Sequence, residues 1–182
     1  MTGPNLVRLA VLTFLVLVIQ STVGLDIRVG GAHPDLMLLL PIAAGLVGGP
    51  NAGAWVGFGA GLVADLFVPA PFGLTALTYT LVGFGVGAVL ALAARSLAGV
   101  DGNSWWLAGL VALAASVIAV MLYAVLGALI GQEQMLKLDL GVIAAVVAVP
   151  NALLAVPAVR AMNWALGVGP RGAEHRVTGS RS

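Results

Sequence analysis

The sequence predicts an all-α integral membrane protein with six transmembrane helices. Apolar residues make up 60% of its 182 residues, charged residues only 8%, and the mean hydropathy is +1.09. A soluble domain is usually about one quarter charged, so this chain has too few charges to cover a surface exposed to water. The apolar residues fall in long runs separated by short clusters of Gly, Pro and charged residues, which is typical of a polytopic membrane protein.

Taken in order, the apolar runs and the breakers between them define six spans. We expect them at residues 6–25, 34–47, 53–67, 74–94, 105–130 and 138–159. Together they form a transmembrane domain over residues 1–168. Residues 169–182 are rich in Gly, Arg and Ser, and we predict a disordered basic tail there.

The second and third spans contain the clearest local signals. Pro34 suits a first helical position, and Asp35 suits the first turn, where the helix dipole favours a negative charge. Pro41 is expected to kink the second span. The run 48–51, Gly-Gly-Pro-Asn, is expected to form the tight turn of a helical hairpin. Because both spans fall short of about 20 residues, a re-entrant hairpin is the alternative to two full crossings.

Polar residues inside the other spans are expected to stabilise the bundle. Gln20 and the hydroxyl groups of residues 75–80 are predicted to make interhelical hydrogen bonds, with a lined cavity as the alternative. Pro150 is expected to interrupt the sixth span together with Pro157. Asn151 is expected either to satisfy backbone groups that Pro150 frees or to bridge two helices.

Small residues recur along one face of the third span. Gly53, Gly57 and Gly61 are each four residues apart, and Asp65 follows at the same spacing, so all four lie on one face of a helix. Such a strip allows close approach of another helix. Two interpretations follow: an ordinary packing face within the bundle, or a surface on which the strip and the carboxylate receive a partner.

Asp65 is the least explained charge in the sequence. It closes a helix, where its negative charge meets the negative end of the helix dipole. It therefore requires water, a cation or a hydrogen-bond donor, and Arg28, His33 and Lys137 are the candidates on the same side of the membrane.

Positively charged residues predict the orientation. In the six-span arrangement, the side that holds both termini has six arginines: Arg8, Arg95, Arg160, Arg171, Arg176 and Arg181. The other side has two basic residues, Arg28 and Lys137. Both termini are therefore expected in the cytoplasm. The four tryptophans are expected at the cytoplasmic ends of their spans, as an interfacial belt; they are Trp55, Trp105, Trp106 and Trp164.

Several classes of function are disfavoured by what the chain lacks. It has no cysteine, which excludes disulfides and thiolate chemistry. A serine hydrolase needs a histidine base near its serine, whereas His33 is predicted in a loop and His175 in the tail. There is no H-E-x-x-H or G-x-x-x-x-G-K-[ST] run, and no basic patch outside the tail that would indicate nucleic acid. No catalytic, cofactor-binding or metal-ligating residue is therefore predicted.

The block from Pro34 to Gly83 resembles the MreD family of rod-shape-determining proteins of the bacterial inner membrane. The matching residues are Pro34-Asp35-Leu36, Gly57-Phe58, Gly61-Leu62, Asp65-Leu66, Gly73-Leu74, Ala76-Leu77 and Thr80-Leu81-Val82-Gly83, with Gln20 in the first span. Pro41 departs from the pattern, and the last two spans show no motif that matches. Of these residues, Pro34, Asp35, Phe58, Leu62, Gly73 and Gly83 are taken as family signature positions.

The resemblance implies a non-enzymatic scaffold of the elongation complex that supports lateral peptidoglycan synthesis and cell shape. Its partners would be MreC and, around it, the actin-like MreB, the RodA glycosyltransferase and a class B penicillin-binding protein. On this basis Gly53, Gly57, Gly61 and Asp65 are predicted to form a docking surface for a partner.

MreD proteins are in turn similar to the six-helix substrate-binding subunits of energy-coupling-factor vitamin transporters, which supplies both a fold expectation and an alternative function. Those subunits have an Ala-x-x-x-Ala motif in the first helix. Here Ala10 is followed by Phe14, so the motif is missing, and the transporter interpretation is the second choice.

Overall fold

The computed structural model describes residues 3–23, 34–67, 71–96, 105–132 and 139–168, without the side chains of residues 23, 95, 96 and 105. Within these ranges all regular structure is helical. The helices are α1 (Gly3–Val23), α2 (Leu39–Asp65), α3 (Leu74–Ser96), α4 (Trp105–Leu129) and α5 (Leu140–Leu166). All five are long and apolar enough to cross a membrane, so an all-helical protein of membrane type is confirmed for the described part of the chain.

Helix α2 contains a break where the sequence predicts a turn. Gly49 has φ 78° and ψ −172°, which is not helical, and Pro50 follows it directly. A Cβ atom built on Gly53 would lie 3.0 Å from the Cα of Gly45. In a continuous helix these two residues would be about 12 Å apart. The chain therefore reverses at Gly49, and we call residues 39–48 the first arm and residues 50–65 the second arm of α2.

The start of α2 differs from the prediction. The helix begins at Leu39 rather than Pro34, after a turn in which the Leu39 N–H donates to the Leu36 carbonyl at 3.1 Å. Asp35 therefore precedes the helix and is not a first-turn acid. The predicted kink at Pro41 is also wrong, because Pro41 occupies the first turn, where its missing N–H would have had no intrahelical acceptor.

Helix α5 is longer and more regular than predicted. It passes through Pro150 and Pro157 and continues to Leu166, instead of ending near residue 159. Asp139 caps its first turn by accepting from the Val142 N–H at 3.3 Å. Gly167 ends it in the left-handed conformation, with φ 67°, which glycine adopts without steric cost.

The helices pack as two pairs with α1 against one side. α3 packs along both arms of α2, and α4 packs on α5. α1 is attached near both of its ends. Asn5 donates from Nδ2 to the Leu166 carbonyl at 3.0 Å, and Gln20 accepts from the Met37 N–H at 2.8 Å. Gln20 therefore bonds from α1 to the turn that precedes α2, rather than to another helix as predicted. The tail and the predicted loops with Arg28, His33 and Lys137 lie outside the described residues.

Candidate functional site

The glycine strip of the second arm is covered by α3. Gly53, Gly57 and Gly61 are buried. A Cβ at Gly57 would lie 2.6 Å from the Tyr79 carbonyl carbon, and one at Gly61 would lie 2.7 Å from the Ala76 nitrogen. Both distances are shorter than real Cβ contacts, so the two backbones touch because the side chain is missing.

The opposing face of α3 has the same construction. A Cβ at Gly83 would lie 2.7 Å from the Gly53 carbonyl carbon, and one at Gly87 would lie 2.5 Å from the Gly49 carbonyl carbon. Gly83 also faces Pro41 of the first arm. The two arms of α2 and α3 therefore meet at one backbone-to-backbone seam. Of the two interpretations of the strip, the structure supports the packing face, and a partner would reach these glycines only if α3 moved away.

Asp65 caps the N-terminus of α3. It is 6% exposed, and its Oδ2 accepts from the Gly73 N–H at 2.9 Å and the Ala76 N–H at 3.2 Å. Its Oδ1 accepts from the Thr75 N–H at 3.0 Å. Gly73 has φ 96°, a conformation that glycine adopts readily. The carboxylate thus satisfies first-turn amides of a second helix, at the positive end of that helix dipole.

This geometry answers the expectation that Asp65 requires water, a cation or a donor, while its predicted role in docking a partner stays a prediction. The candidates Arg28, His33 and Lys137 lie outside the described residues, whereas the donors that the structure provides are backbone amides. Asp65 lies at the negative end of its own helix dipole, which is unfavourable. It also lies at the positive end of the α3 dipole, and that interaction offsets the first.

Asp35 connects the segment before α2 to α3. The Tyr79 hydroxyl donates to the Asp35 Oδ2, and Tyr79 is 3% exposed. Pro34 beside it is buried. The sequence predicts a role for Asp35 but does not reveal Tyr79 as its partner. Tyr79 stands between Thr78 and Thr80, and a tyrosine gives no local signal of the distant partner that its hydroxyl binds.

Two of the predicted interhelical hydroxyls bond within their own helix. The Thr78 hydroxyl donates to the Leu74 carbonyl at 2.9 Å, and the Thr80 hydroxyl donates to the Ala76 carbonyl at 2.6 Å. Threonine in an apolar helix often satisfies its hydroxyl on the preceding turn. The prediction of interhelical bonds is therefore wrong for these two.

The uncovered side of the second arm faces a groove. Gly59 lies on this side and has nothing within 4 Å of an added Cβ, whereas Phe58, 46% exposed, and Leu62, partly buried, do not line the groove. The groove has a volume of about 690 Å³ and runs between α1 and the second arm. It is lined by Leu6, Leu9, Ala10, Thr13, Phe14, Leu17, Trp55, Val56, Gly59, Ala60 and Val63.

A polar pair joins α4 to α5. Asn151 donates from Nδ2 to the Ser116 Oγ at 2.9 Å, and both residues are fully buried. Of the two predicted roles for Asn151, bridging two helices is the one observed. Ser116 was not identified from the sequence, since a lone serine among alanines is also typical of ordinary helix packing.

The Asn151–Ser116 bond can be tested by a double-mutant cycle. Ser116→Ala is expected to lower the free energy of unfolding by about 0.6–1.7 kcal/mol, the range for hydrogen bonds between membrane helices, because it leaves a buried amide without its acceptor. In the Asn151→Ala background the same substitution should cost less. Thermal unfolding in detergent measures both values, and an equal cost in both backgrounds would show that the side chains are not coupled.

Within the described ranges, no group of three or more His, Asp or Glu side chains is placed to hold a metal ion. Comparison with known proteins found no family model, curated protein or solved structure that matches the chain.

Proposed function

We propose that this chain is a non-enzymatic membrane scaffold of the bacterial elongation complex, as its resemblance to the MreD family implies. One observation supports this most: the residues that carry the resemblance make a single structural unit. Asp65 and Gly73 bond to each other, and Gly57, Gly61 and Gly83 form the seam between α2 and α3. Because these residues contact one another, their resemblance to the family supports a shared fold. The same residues scattered through the bundle would support it less.

We further propose that the two arms of α2 act as separate membrane segments, which gives six segments and a fold of the energy-coupling-factor subunit type. Two features support this. The chain reverses at Gly49, and a Cβ on Gly48 would lie 3.1 Å from a methyl carbon of Leu166. The tip of the hairpin therefore reaches the level at which α5 ends. Six segments place both termini on one side of the bacterial inner membrane, and the excess of arginines on that side assigns it to the cytoplasm.

The scaffold role assigns the partners by resemblance: MreC first, then MreB, RodA and a class B penicillin-binding protein. Because α3 occupies the glycine strip, contacts with them must use other surfaces. The uncovered side of the second arm, with Trp55 and Phe58 exposed, is one such surface inside the bilayer.

Depletion in a rod-shaped host tests the proposal. We expect rounded cells and mislocalised wall synthesis, both restored by the wild-type gene, and MreC should co-purify with the tagged protein from detergent extracts. The matched comparison is vitamin uptake in the same depleted cells. Cells that keep their shape and lose uptake of one vitamin would reject the scaffold and support the transporter subunit.

A further inference from the structure

The end of the bundle at which α1 begins and α5 finishes has an unusual basic surface. The Arg8 guanidinium lies 5.4 Å from the centre of the Trp164 ring, and its Nη1 donates to the Trp164 carbonyl at 3.3 Å. Trp164 is 56% exposed. Arg160 precedes Trp164 by one helical turn on the same face, and it is also exposed. We call Arg8, Arg160 and Trp164 the basic end patch.

Arg8 has a structural role, but among the described residues that role uses one hydrogen bond of its guanidinium. Its bond to the Trp164 carbonyl satisfies one of the last carbonyl groups of α5. A positive charge at this position also interacts favourably with the negative end of the helix dipole. A guanidinium carries five N–H donors in a planar fork, and planar forks suit phosphate oxygens. The Trp164 ring, with its centre 5.4 Å away, also attracts the guanidinium as a cation–π partner.

The acidic residues of the described chain lie at the opposite end of the bundle. Asp35 and Asp65 are beside the start of α3, and Asp139 is at the start of α5. The basic end patch therefore faces no carboxylate from the described part of the chain. A negative group that meets this end has to come from outside those residues.

Apolar stripes lead away from the patch on both helices. On α5, Val149, Leu153 and Pro157 are exposed at the spacing that places them on the face of Arg160 and Trp164. On α1, Val11 and Leu15 are exposed on the side of Arg8. The surface is thus apolar along the membrane-spanning part and basic with an aromatic ring at the end, where long arginine side chains reach the membrane surface.

We propose that the basic end patch binds the phosphate of an anionic phospholipid whose acyl chains lie along the stripes of α1 and α5. The charge and the apolar length both match that molecule. Basic pockets between transmembrane helices are known to select anionic lipid head groups. A bound lipid of this kind would hold α1 against α5 at the end where Asn5 and Arg8 already fasten it. The site does not depend on the scaffold function proposed above.

Native mass spectrometry of the full-length protein tests this proposal. Phosphatidylglycerol and phosphatidylcholine with identical acyl chains are titrated separately, and the fraction of protein that carries one lipid is measured. We expect retention of phosphatidylglycerol over phosphatidylcholine. Arg8→Gln and Arg160→Gln should each lower the apparent affinity for phosphatidylglycerol about fivefold, the contribution of one basic residue near a membrane surface.

The controls separate this site from general charge and from structural damage. Arg176→Gln removes the same charge from the C-terminal segment and should leave retention unchanged. Arg160 makes no hydrogen bond among those found between described residues, so Arg160→Gln tests the site even if Arg8→Gln loosens α1. Equal retention of the two lipids, or an Arg176→Gln effect as large as that of Arg160→Gln, would overturn the proposal. The proposal would also be overturned if inorganic phosphate, at a concentration equal to that of the lipid, fully displaced phosphatidylglycerol. The site would then be one for free phosphate.

Discussion

Gly57→Leu is expected to cause the largest loss of folded protein of any single substitution considered. A Cβ at this position would lie 2.6 Å from the Tyr79 carbonyl carbon and 2.9 Å from the Thr80 nitrogen. Both are backbone atoms, which cannot rotate away as a side chain can. Overpacking usually costs about 1–3 kcal/mol, and we expect the upper end of that range here. The measurement is the midpoint of thermal unfolding in detergent, followed by size-exclusion chromatography.

The substitutions Gly57→Ala and Gly59→Ala provide the matched control for this prediction. Both glycines lie in the second arm, two residues apart, but nothing lies within 4 Å of a Cβ built on Gly59. Gly59→Ala should be neutral or stabilising by up to about 1 kcal/mol, the usual difference between glycine and alanine within a helix. Gly57→Ala should destabilise. Equal effects of the two substitutions would mean that the seam with α3 is not a tight contact.

Asp65→Asn is expected to destabilise the protein by about 1–3 kcal/mol, although it keeps the size of the side chain. The two oxygens of Asp65 accept from three backbone amides. In asparagine one of these oxygens becomes an NH₂ group, so at least one buried amide N–H faces a donor and loses its acceptor. The substitution also removes the negative charge that interacts favourably with the positive end of the α3 dipole. Insertion into the membrane should persist, since hydropathy is nearly unchanged.

Asp139→Asn provides the control for Asp65→Asn. Asp139 also caps a helix, but it is exposed and accepts one hydrogen bond at 3.3 Å. Asparagine is as good an N-cap as aspartate, so the unfolding midpoint should hardly change. If Asp65→Asn unfolds like wild type but no longer co-purifies with MreC, Asp65 acts on a partner after all, as the sequence alone had suggested.

Much of the architecture follows from local sequence. Long apolar runs predict helices, and glycine with proline predicts a reversal, so α3, α4 and the break at Gly49 lie close to their expected positions. The errors in helix bounds and kinks occur at prolines, which can start, bend or simply continue a helix. Pro34 and Pro41 were interpreted as a helix start and a kink, whereas the helix begins between them. Pro150 and Pro157 remain within a continuous α5, as proline does more often in membrane-spanning helices than in soluble ones.

The sequence by itself determined that this is a membrane-type helical protein with one glycine face suited to a close helix contact. These features depend on hydropathy and on the helical period, which neighbouring residues define. Only the tertiary structure decided that α3 of the same chain fills that face and that Asp65 binds the amides at the start of α3. Every residue except proline carries a backbone N–H, so a carboxylate that binds backbone amides leaves no partner motif in the sequence. Which amides it meets depends on how distant segments pack.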